Sequence, residues 1–406
     1  MNMWQSIFGI IVIFFIAWLC SSKKSAINWR TVLFALLLQI AFGALALFIP
    51  AGRAIFESMA HGFSAVLDYA NTGINFLFGP LVSNQHAGFV FAINVLGIIV
   101  FFSALLSVLY HLKIMQFIIR IFGGLLGKIL RVSQVESMYA VANLFLGQSE
   151  SPLAIKPYIE GLTRSQMFTI LTCGMSTVAG SVLAGYVKMG IEMKFLITAI
   201  FMSAPGALVI SKLMIPETEN KNDESVDIQH EKHSSIIDAA AQGASAGVTL
   251  AINVGAMLLA FISLIAMLNG ILGWTGELFG ISSLSLQQIL GYLFAPVAWL
   301  TGVPWHEAIV AGGLIGEKVV INEFIAYMNM SNLAQPLSPH STAILTFALC
   351  GFANFASIAI QLGLIGSIAP SRRGEVARLG LRSVLAGMLV NLMSASVAGL
   401  FLSLTP

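Results

Sequence analysis

Charge is what this sequence has least of. Asp, Glu, Lys and Arg make up 9% of its 406 residues, against roughly 25% in soluble globular chains, so that class is excluded. Cysteine is scarce as well. Cys20, Cys173 and Cys350 all lie in apolar segments, and no disulfide framework is implied. The first apolar stretch lacks a basic n-region and an A-x-A-like cleavage site, so it reads as a retained span and not a signal peptide. A formal net charge of +2 says nothing about partners.

What fills the chain is hydrophobic: 57% of residues, with a mean hydropathy of +0.89. Apolar runs long enough to cross a bilayer, about 20 residues each, recur along it. They predict eight crossings, at 4–20, 31–49, 88–111, 166–188, 194–215, 247–273, 341–369 and 381–403. Lys23, Lys24 and Arg30 follow the first span and place its N-terminus outside by the positive-inside rule. On that choice Lys113, Arg120, Lys128, Arg131, Arg164, the tract 219–235, and Arg372, Arg373, Arg378 and Arg382 fall inside. Only Arg53, Lys188 and Lys194 fall outside.

One stretch resists this count. In "NLFLGQSESP" (143–152) Gln, Ser, Glu and Ser interrupt an apolar neighbourhood. If residues 135–160 crossed once, every later basic loop would move outside. The charge pattern therefore predicts a re-entrant hairpin with "GQSES" at its tip. Gly147 ends the first half-helix, Ser151 caps the second and Pro152 takes its first position. A kinked core helix with a polar packing motif is the structural alternative. Irregular backbone at membrane depth survives only where protein or a water-lined cavity satisfies it.

The order of elements recurs. The span at 88–111 leads to the amphipathic "KIMQFIIRIFGGLLGKILR", the hairpin, and spans at 166–188 and 194–215. The span at 247–273 leads to "LQQILGYLFAPVAWLTG", a second broken stretch at 305–327, and the last two spans. Val132-x-x-x-Glu136 echoes Val303-x-x-x-Glu307, and "CGMSTVAGS" (173–181) echoes "CGFANFAS" (350–357). Each unit holds three crossings, so the second is inverted. Inverted repeats with broken helices meeting near the midplane are a secondary-transporter architecture.

Four polar clusters converge on this plan: Gln148-Ser149-Glu150, Thr177 to Ser181, Asn322-Glu323, and Asn354 to Ser357. A carboxylate at depth costs roughly 2.5–3.5 kcal/mol on insertion scales and marks function by default. Lys318, five residues before Glu323, offers an ion pair as the structural alternative. His306, Glu307 and Glu317 read as structural or solvated. A Gln amide matches a nucleobase-like edge and carboxylates accept from sugar hydroxyls, so the clusters suit a neutral, polyhydroxylated heteroaromatic solute. The absence of an Arg or Lys cluster argues against anions. Asn143, Thr177 and nearby carbonyls suit a Na⁺ ion at a helix break.

These residues resemble the concentrative nucleoside transporter family in its bacterial eight-span form. The matching stretches are "NLFLGQSESPL" (143–153), "STVAGSVLAGY" (176–186), "GVPWHEA" (302–308), "GEKVVINEFIAY" (316–327) and "CGFANFASIAI" (350–360). The resemblance implies an inner-membrane homotrimer importing nucleosides of the uridine, cytidine or adenosine class by Na⁺ or H⁺ symport, both termini periplasmic. It implies base-binding residues at Gln148, Ser149 and Glu150, ribose-binding residues at Glu323, Asn354 and Ser357, and Phe352 against the base. It places Na⁺ on Asn143, the Leu146 carbonyl, Thr177 and the Val178 carbonyl. It implies a scaffold over 1–111 and 247–273. The transport domain would cover 113–215 (hairpin 132–162) and 285–406 (hairpin 305–332), with a cytoplasmic loop at 216–246. The tip reads Gln-Ser-Glu where other members have Gln-Thr-Glu, and Thr177 stands where a sodium-coupled relative has Ser. These departures bear on base preference and coupling ion.

The fold expected is an all-α integral membrane protein with eight spans, two re-entrant hairpins, interfacial helices and an inverted repeat. Two other classes compete. An intramembrane serine hydrolase on Ser149 or Ser151 needs a base within reach, yet the seven histidines lie near segment ends or in loops and no Lys adjoins the tip. A channel favours a continuous polar stripe over paired hairpins. His230 and His233, three apart with no third ligand, are weak zinc evidence and read as exposed. Residues 62–79 read as an outer interfacial helix with Asp68 exposed. No organic cofactor and no nucleic-acid surface are implied.

Overall fold

The computed structural model describes residues 3–79, 90–219, 233–280 and 284–404, and every regular element among them is helical. His86, His230 and most of the 219–235 tract lie outside the described residues. Six of the described helices are long and apolar enough to cross a membrane, and Met3–Leu19 and Phe355–Ile368 are shorter apolar helices.

The chain opens with α1 (Met3–Leu19), α2 (Trp29–Leu47) and α3 (Pro50–Phe78). Asn28 caps α2 by accepting from Thr31 N, and Pro50 starts α3, its missing N–H costing nothing at a helix start. The expected outer helix at 62–79 is thus the second half of a 29-residue helix, with Asp68 exposed on it.

Two units of matching order follow. The first runs through α4 (Phe91–Asn94), α5 (Leu96–His111), α6 (Ile114–Leu130), α7 (Gln134–Leu146), α8 (Ser151–Ala154), a 3₁₀ turn (Lys156–Gly161), α9 (Arg164–Ser176), α10 (Gly180–Lys188) and α11 (Met193–Met214). The second runs through α12 (Ile236–Leu278), α13 (Leu286–Leu300), α14 (Trp305–Val320), α15 (Glu323–Ser331), α16 (Pro339–Leu349), α17 (Phe355–Ile368) and α18 (Arg373–Leu404). Both units carry a hairpin between an amphipathic helix and a span. Both expected continuous spans, 166–188 and 341–369, are in fact interrupted, at 177–179 and at 350–354. Polar Thr177 and Asn354 turn extended there, at φ −122 and −140.

The roots of the hairpins are clamped. At the first, Ser133 and Glu136 form a capping box that starts α7. Glu136 also pairs with Lys212 of α11 at 2.5 Å, and Lys212 donates to Ser165 Oγ at 2.9 Å, at the start of α9. At the second, Glu307 in the first turn of α14 accepts from Ser338 N at 2.8 Å and Ser338 Oγ at 2.9 Å, at the cap of α16, and from Ser341 Oγ. In each case the chain leaves and returns within reach of one carboxylate, the geometry of a re-entrant segment. Glu307 is structural, as expected; Glu136 plays the equivalent part.

The turn chemistry at the first tip differs by one residue from expectation. Gly147 ends α7 with φ +70, where an added Cβ would lie 2.7 Å from Ala179 Cβ. The cap of α8 is Glu150, not Ser151. Ser151 instead donates backward, to Gly147 O at 2.7 Å and Asn143 Oδ1 at 3.2 Å, closing the tip on itself. The returning half is also shorter than expected, four helical residues and a 3₁₀ turn.

Around the hairpins, α9 and α11 are almost wholly buried, and α9, α16 and α11 pack on α18. α1 packs on α18, and α2 on α11. α5 packs along α12, which leaves most of its own surface exposed. α13 and α14 meet at a 114° bend and pack closely. A Cβ on Gly312 would lie 2.6 Å from Ala295 N, so small residues permit backbone contact there.

Candidate functional site

Four chain breaks meet at one buried place: the first tip, the 177–179 interruption, the 321–322 turn and the 350–354 interruption. Each break supplies side chains for the same reason. Where a helix stops, freed N–H and C=O groups need partners, and Asn, Ser and Thr supply them locally. Asn322 caps α15 by accepting from Ile325 N at 3.0 Å, and Asn354 caps α17 by accepting from Ser357 N at 2.9 Å.

From these breaks a continuous polar chain runs across the two repeats. Gln148 Nε2 donates to Ser357 Oγ at 2.8 Å, and Gln148 Oε1 is buried with no hydrogen-bond partner among the described residues. Asn354 Nδ2 donates to Glu323 Oε2 at 3.3 Å, and Tyr186 OH donates to Glu323 Oε1 at 3.0 Å. Gln148, Glu323, Asn354 and Ser357 are each at most 3% exposed. The buried, unpartnered amide oxygen at 148 and the thinly held carboxylate at 323 are acceptors waiting for donors. A solute bearing N–H and O–H groups on opposite edges supplies both.

The other expected solute residues divide. Ser149 is exposed. Glu150 is half-buried and faces a cavity of about 430 Å³, shared with Ser103, Ser107, Tyr110, Ser181 and Gln242, rather than the Gln148–Ser357 pair. Phe352 is half-buried, and its N–H donates to Thr177 O at 3.1 Å, which pins the two interrupted spans together.

The expected cation residues form a second cluster beside the first. Asn143 Nδ2 donates to Thr177 Oγ1 and, at 2.8 Å, to Cys173 O. Asn143, Thr177 and Val178 are at most 1% exposed, and Leu146 is 8% exposed. Gly180 lies against Phe145 O, so the end of α7 and the interruption after α9 touch through their backbones. The oxygens at hand are the Asn143 amide oxygen, which accepts from Ser151, the Thr177 hydroxyl, and carbonyls at the end of α7 and in the interruption after α9. That chemistry fits a hard monovalent cation.

Sequence reasoning missed two central residues, Tyr186 and Asn391, and gave a third, Lys318, the wrong partner. Tyr186, fully buried, orients Glu323. Lys318, weighed as a partner for Glu323, donates instead to Ala348 O at 2.8 Å and Asn391 Oδ1 at 2.6 Å. Asn391 in turn donates to Ser176 O at 2.8 Å and Cys350 O at 2.9 Å, so one amide bridges both interrupted spans. A signal was available: Asn391 is a lone amide amid "LAGMLVNLM". His233, expected to be exposed, is half-buried at 3.4 Å from Ser107 Oγ and near His111.

Paired hairpins and interrupted spans, repeated in order around a buried polar centre, define a secondary transporter of the membrane. Comparison with known proteins narrows the class. Family models match residues 8–81 and 195–399 as the N- and C-terminal parts of the Na⁺ dependent nucleoside transporter, and 92–193 as a nucleoside recognition gate. The Bacillus subtilis Uncharacterized transporter YutK is 53% identical over 99% of this chain and 100% of its own. The Helicobacter pylori Nucleoside permease NupC is 47% identical over 98% of each chain. The structure of CNTnw in an inward-facing substrate-bound state superposes with a TM-score of 0.94 at 50% identity, over 98% of both chains.

The chain belongs to the concentrative, Na⁺ dependent nucleoside transporter family. Its relatives are transporters, not enzymes, which ends the hydrolase alternative.

Proposed function

We propose that this chain imports nucleosides across the bacterial inner membrane by symport with a cation, Na⁺ favoured, through an alternating-access cycle in a homotrimer with both termini periplasmic. The observation that carries the reading is the polar chain Gln148–Ser357 and Asn354–Glu323–Tyr186, built from both hairpins and both interrupted spans. Gln148 reads the base, with Ser149 and Glu150 of the same tip meeting it from the α5 side and Phe352 against its face. Glu323, Asn354 and Ser357 hold the ribose hydroxyls.

Asn143, Leu146 O, Thr177 and Val178 O form the Na⁺ site. Na⁺ binding there orders the end of α7 and hence the tip bearing Gln148, five residues on. Coupling is then a difference in nucleoside affinity between loaded and unloaded states. The hairpins travel with residues 113–215 and 285–406 against a scaffold of 1–111 and 247–273. The packing of α5 on α12 supports the scaffold pairing. α1 and α2 rest on α11 and α18 and form either the surface the carrier slides on or a part of it.

Proton coupling is the second reading. It is favoured by one feature, the lack of any cation pairing with the buried Glu323 among the described residues.

The test is uptake of labelled uridine into proteoliposomes holding only this protein, with Na⁺ and proton gradients imposed separately. Accumulation driven by Na⁺ alone supports the Asn143/Thr177 site. Accumulation driven by protons alone moves the coupling role to Glu150 or Glu323. No uptake under either gradient, with folded protein, overturns the reading.

A further inference from the structure

One helix carries charges that the transport site does not use. α6 (Ile114–Leu130) follows α5 through a turn at Lys113 and leads into the first hairpin through a turn at Arg131. At both turns the backbone is left-handed, with φ +62 and +53, and these are the only non-glycine residues with positive φ among the described residues. Glycine adopts that conformation at less cost, yet a basic residue stands at each turn. From Leu112 to Val135 the chain holds four basic residues, Lys113, Arg120, Lys128 and Arg131, and no acidic one.

The helical period gives α6 three sides. Met115, Ile119, Gly123, Leu126 and Leu130 are buried against the protein. Ile114, Phe117, Ile121, Phe122 and Leu125 form a second side that is apolar and exposed, Phe117 by 67%. Lys113, Arg120 and Lys128 are exposed and border that apolar side along one edge. Such a helix suits a membrane interface, with its apolar side among acyl chains and its ammonium and guanidinium groups at the headgroups. Arg131 is set apart, because it shares a cavity with Glu217 and Glu219.

The buried side of α6 meets the first hairpin at close range. A Cβ on Gly123 would lie 2.9 Å from Met138 Cα, and one on Gly127 would lie 2.8 Å from Ser137 Oγ. These two glycines, one turn apart, bring the helix against α7 directly after the Ser133–Glu136 capping box. We infer that α6 is a binding surface for anionic phospholipids of the cytoplasmic leaflet, with Lys113, Arg120 and Lys128 on the phosphate headgroups, and that lipid held there anchors the root of the first hairpin. The inference rests on the membrane orientation proposed above. Charge complementarity selects the occupant: the stretch has only basic charges, and an anionic headgroup supplies the opposite sign.

The test compares two lipids on the purified full chain in detergent, by native mass spectrometry of retained phosphatidylglycerol and phosphatidylcholine. Each Lys or Arg near an anionic surface contributes about fivefold in affinity. Wild type is expected to prefer phosphatidylglycerol. Lys113→Gln, Arg120→Gln and Lys128→Gln should each lower that preference by about fivefold, and the triple variant by roughly 100-fold. Lys23→Gln/Arg373→Gln/Arg378→Gln removes three exposed charges from the same side of the membrane and should keep the preference. In proteoliposomes, wild type should take up uridine faster in equal parts phosphatidylcholine and phosphatidylglycerol than in phosphatidylcholine alone. The α6 triple variant should show equal rates in both.

A wild type with no preference between the two lipids would overturn the inference, and this measurement does not depend on a variant folding. So would a folded α6 triple variant that keeps the wild-type preference, or a control variant that loses as much of it. Equal uptake by wild type in the two membranes would overturn the anchoring of the hairpin. Absence of uptake in every membrane would overturn the transport reading instead. That outcome is distinguishable because the lipid count is made without transport.

Discussion

Replacing Tyr186 by Phe removes one oxygen from a fully buried ring and leaves its packing against Phe324 and Tyr327 intact. The hydroxyl donates at 3.0 Å to Glu323 Oε1, while Asn354 Nδ2 makes a longer contact of 3.3 Å to Oε2. Tyr186 therefore makes the shorter of the two side-chain hydrogen bonds to the proposed ribose-binding carboxylate. A hydrogen bond to a charged acceptor contributes about 1.5–3 kcal/mol. Part of this is recovered when Glu323 turns toward the solute, so the lower end is the expected loss.

A loss of about 1.4 kcal/mol is tenfold in affinity. Uridine binding to Tyr186→Phe should weaken by about that factor. The informative comparison is a uridine analogue lacking the ribose hydroxyl that Glu323 is proposed to hold. If Tyr186 acts by orienting Glu323, the substitution costs much less for the analogue, because the contact it prepares is missing. Isothermal titration of both ligands against both proteins yields the coupling energy. Equal losses for the two ligands would refute the reasoning and leave Tyr186 a packing residue.

Other substitutions test other parts of the centre. Glu323→Gln should abolish concentrative uptake in proteoliposomes while leaving the melting curve and assembly unchanged; normal uptake would remove Glu323 from the site. At saturating cation, Gln148→Ala should weaken base-dependent binding more than Asn143→Ala does, and the reverse order would mean that the two subsites are exchanged. Glu136→Gln leaves Lys212 buried without its 2.5 Å partner, and breaking such a pair costs about 3–5 kcal/mol. Its thermal unfolding should fall clearly below wild type, with much of the loss recovered in Glu136→Gln/Lys212→Met.

Local chemistry made much of this legible in the sequence. Gly147 stops a helix because it alone tolerates positive φ cheaply, and the residues Gln148 to Glu150 stood out against an apolar background. The matching order of the two units followed from hydropathy and turn residues. Long-range contacts were not legible. Nothing near position 318 indicates that its ammonium crosses to Asn391, 73 residues on, and not to Glu323. Periodicity likewise ran through 166–188 and 341–369 without a gap, because the interruptions are stabilised by each other. The Phe352 N–H reaches the Thr177 carbonyl across the repeat boundary, and hydropathy does not register such a bond. The one-residue shift of the cap at the tip has a similar origin, since Ser151 finds better partners behind it than ahead.

The clamped roots give each hairpin the mechanics of a cantilever. Glu136 with Lys212, and Glu307 with Ser338, fix one end of the beam to the neighbouring spans, while the tip itself is held by contacts across the polar centre and, behind the second tip, by Lys318 on Ala348 O and Asn391 Oδ1. Deflection of such a beam is greatest at the free end. The least costly opening is therefore a bend near 147–150 or 321–322, with the base unmoved. A solute bridging Gln148 and Glu323 joins two free ends into an arch supported at both feet. An arch is far stiffer than either beam, so a loaded centre can be carried as one rigid piece while an empty one flexes.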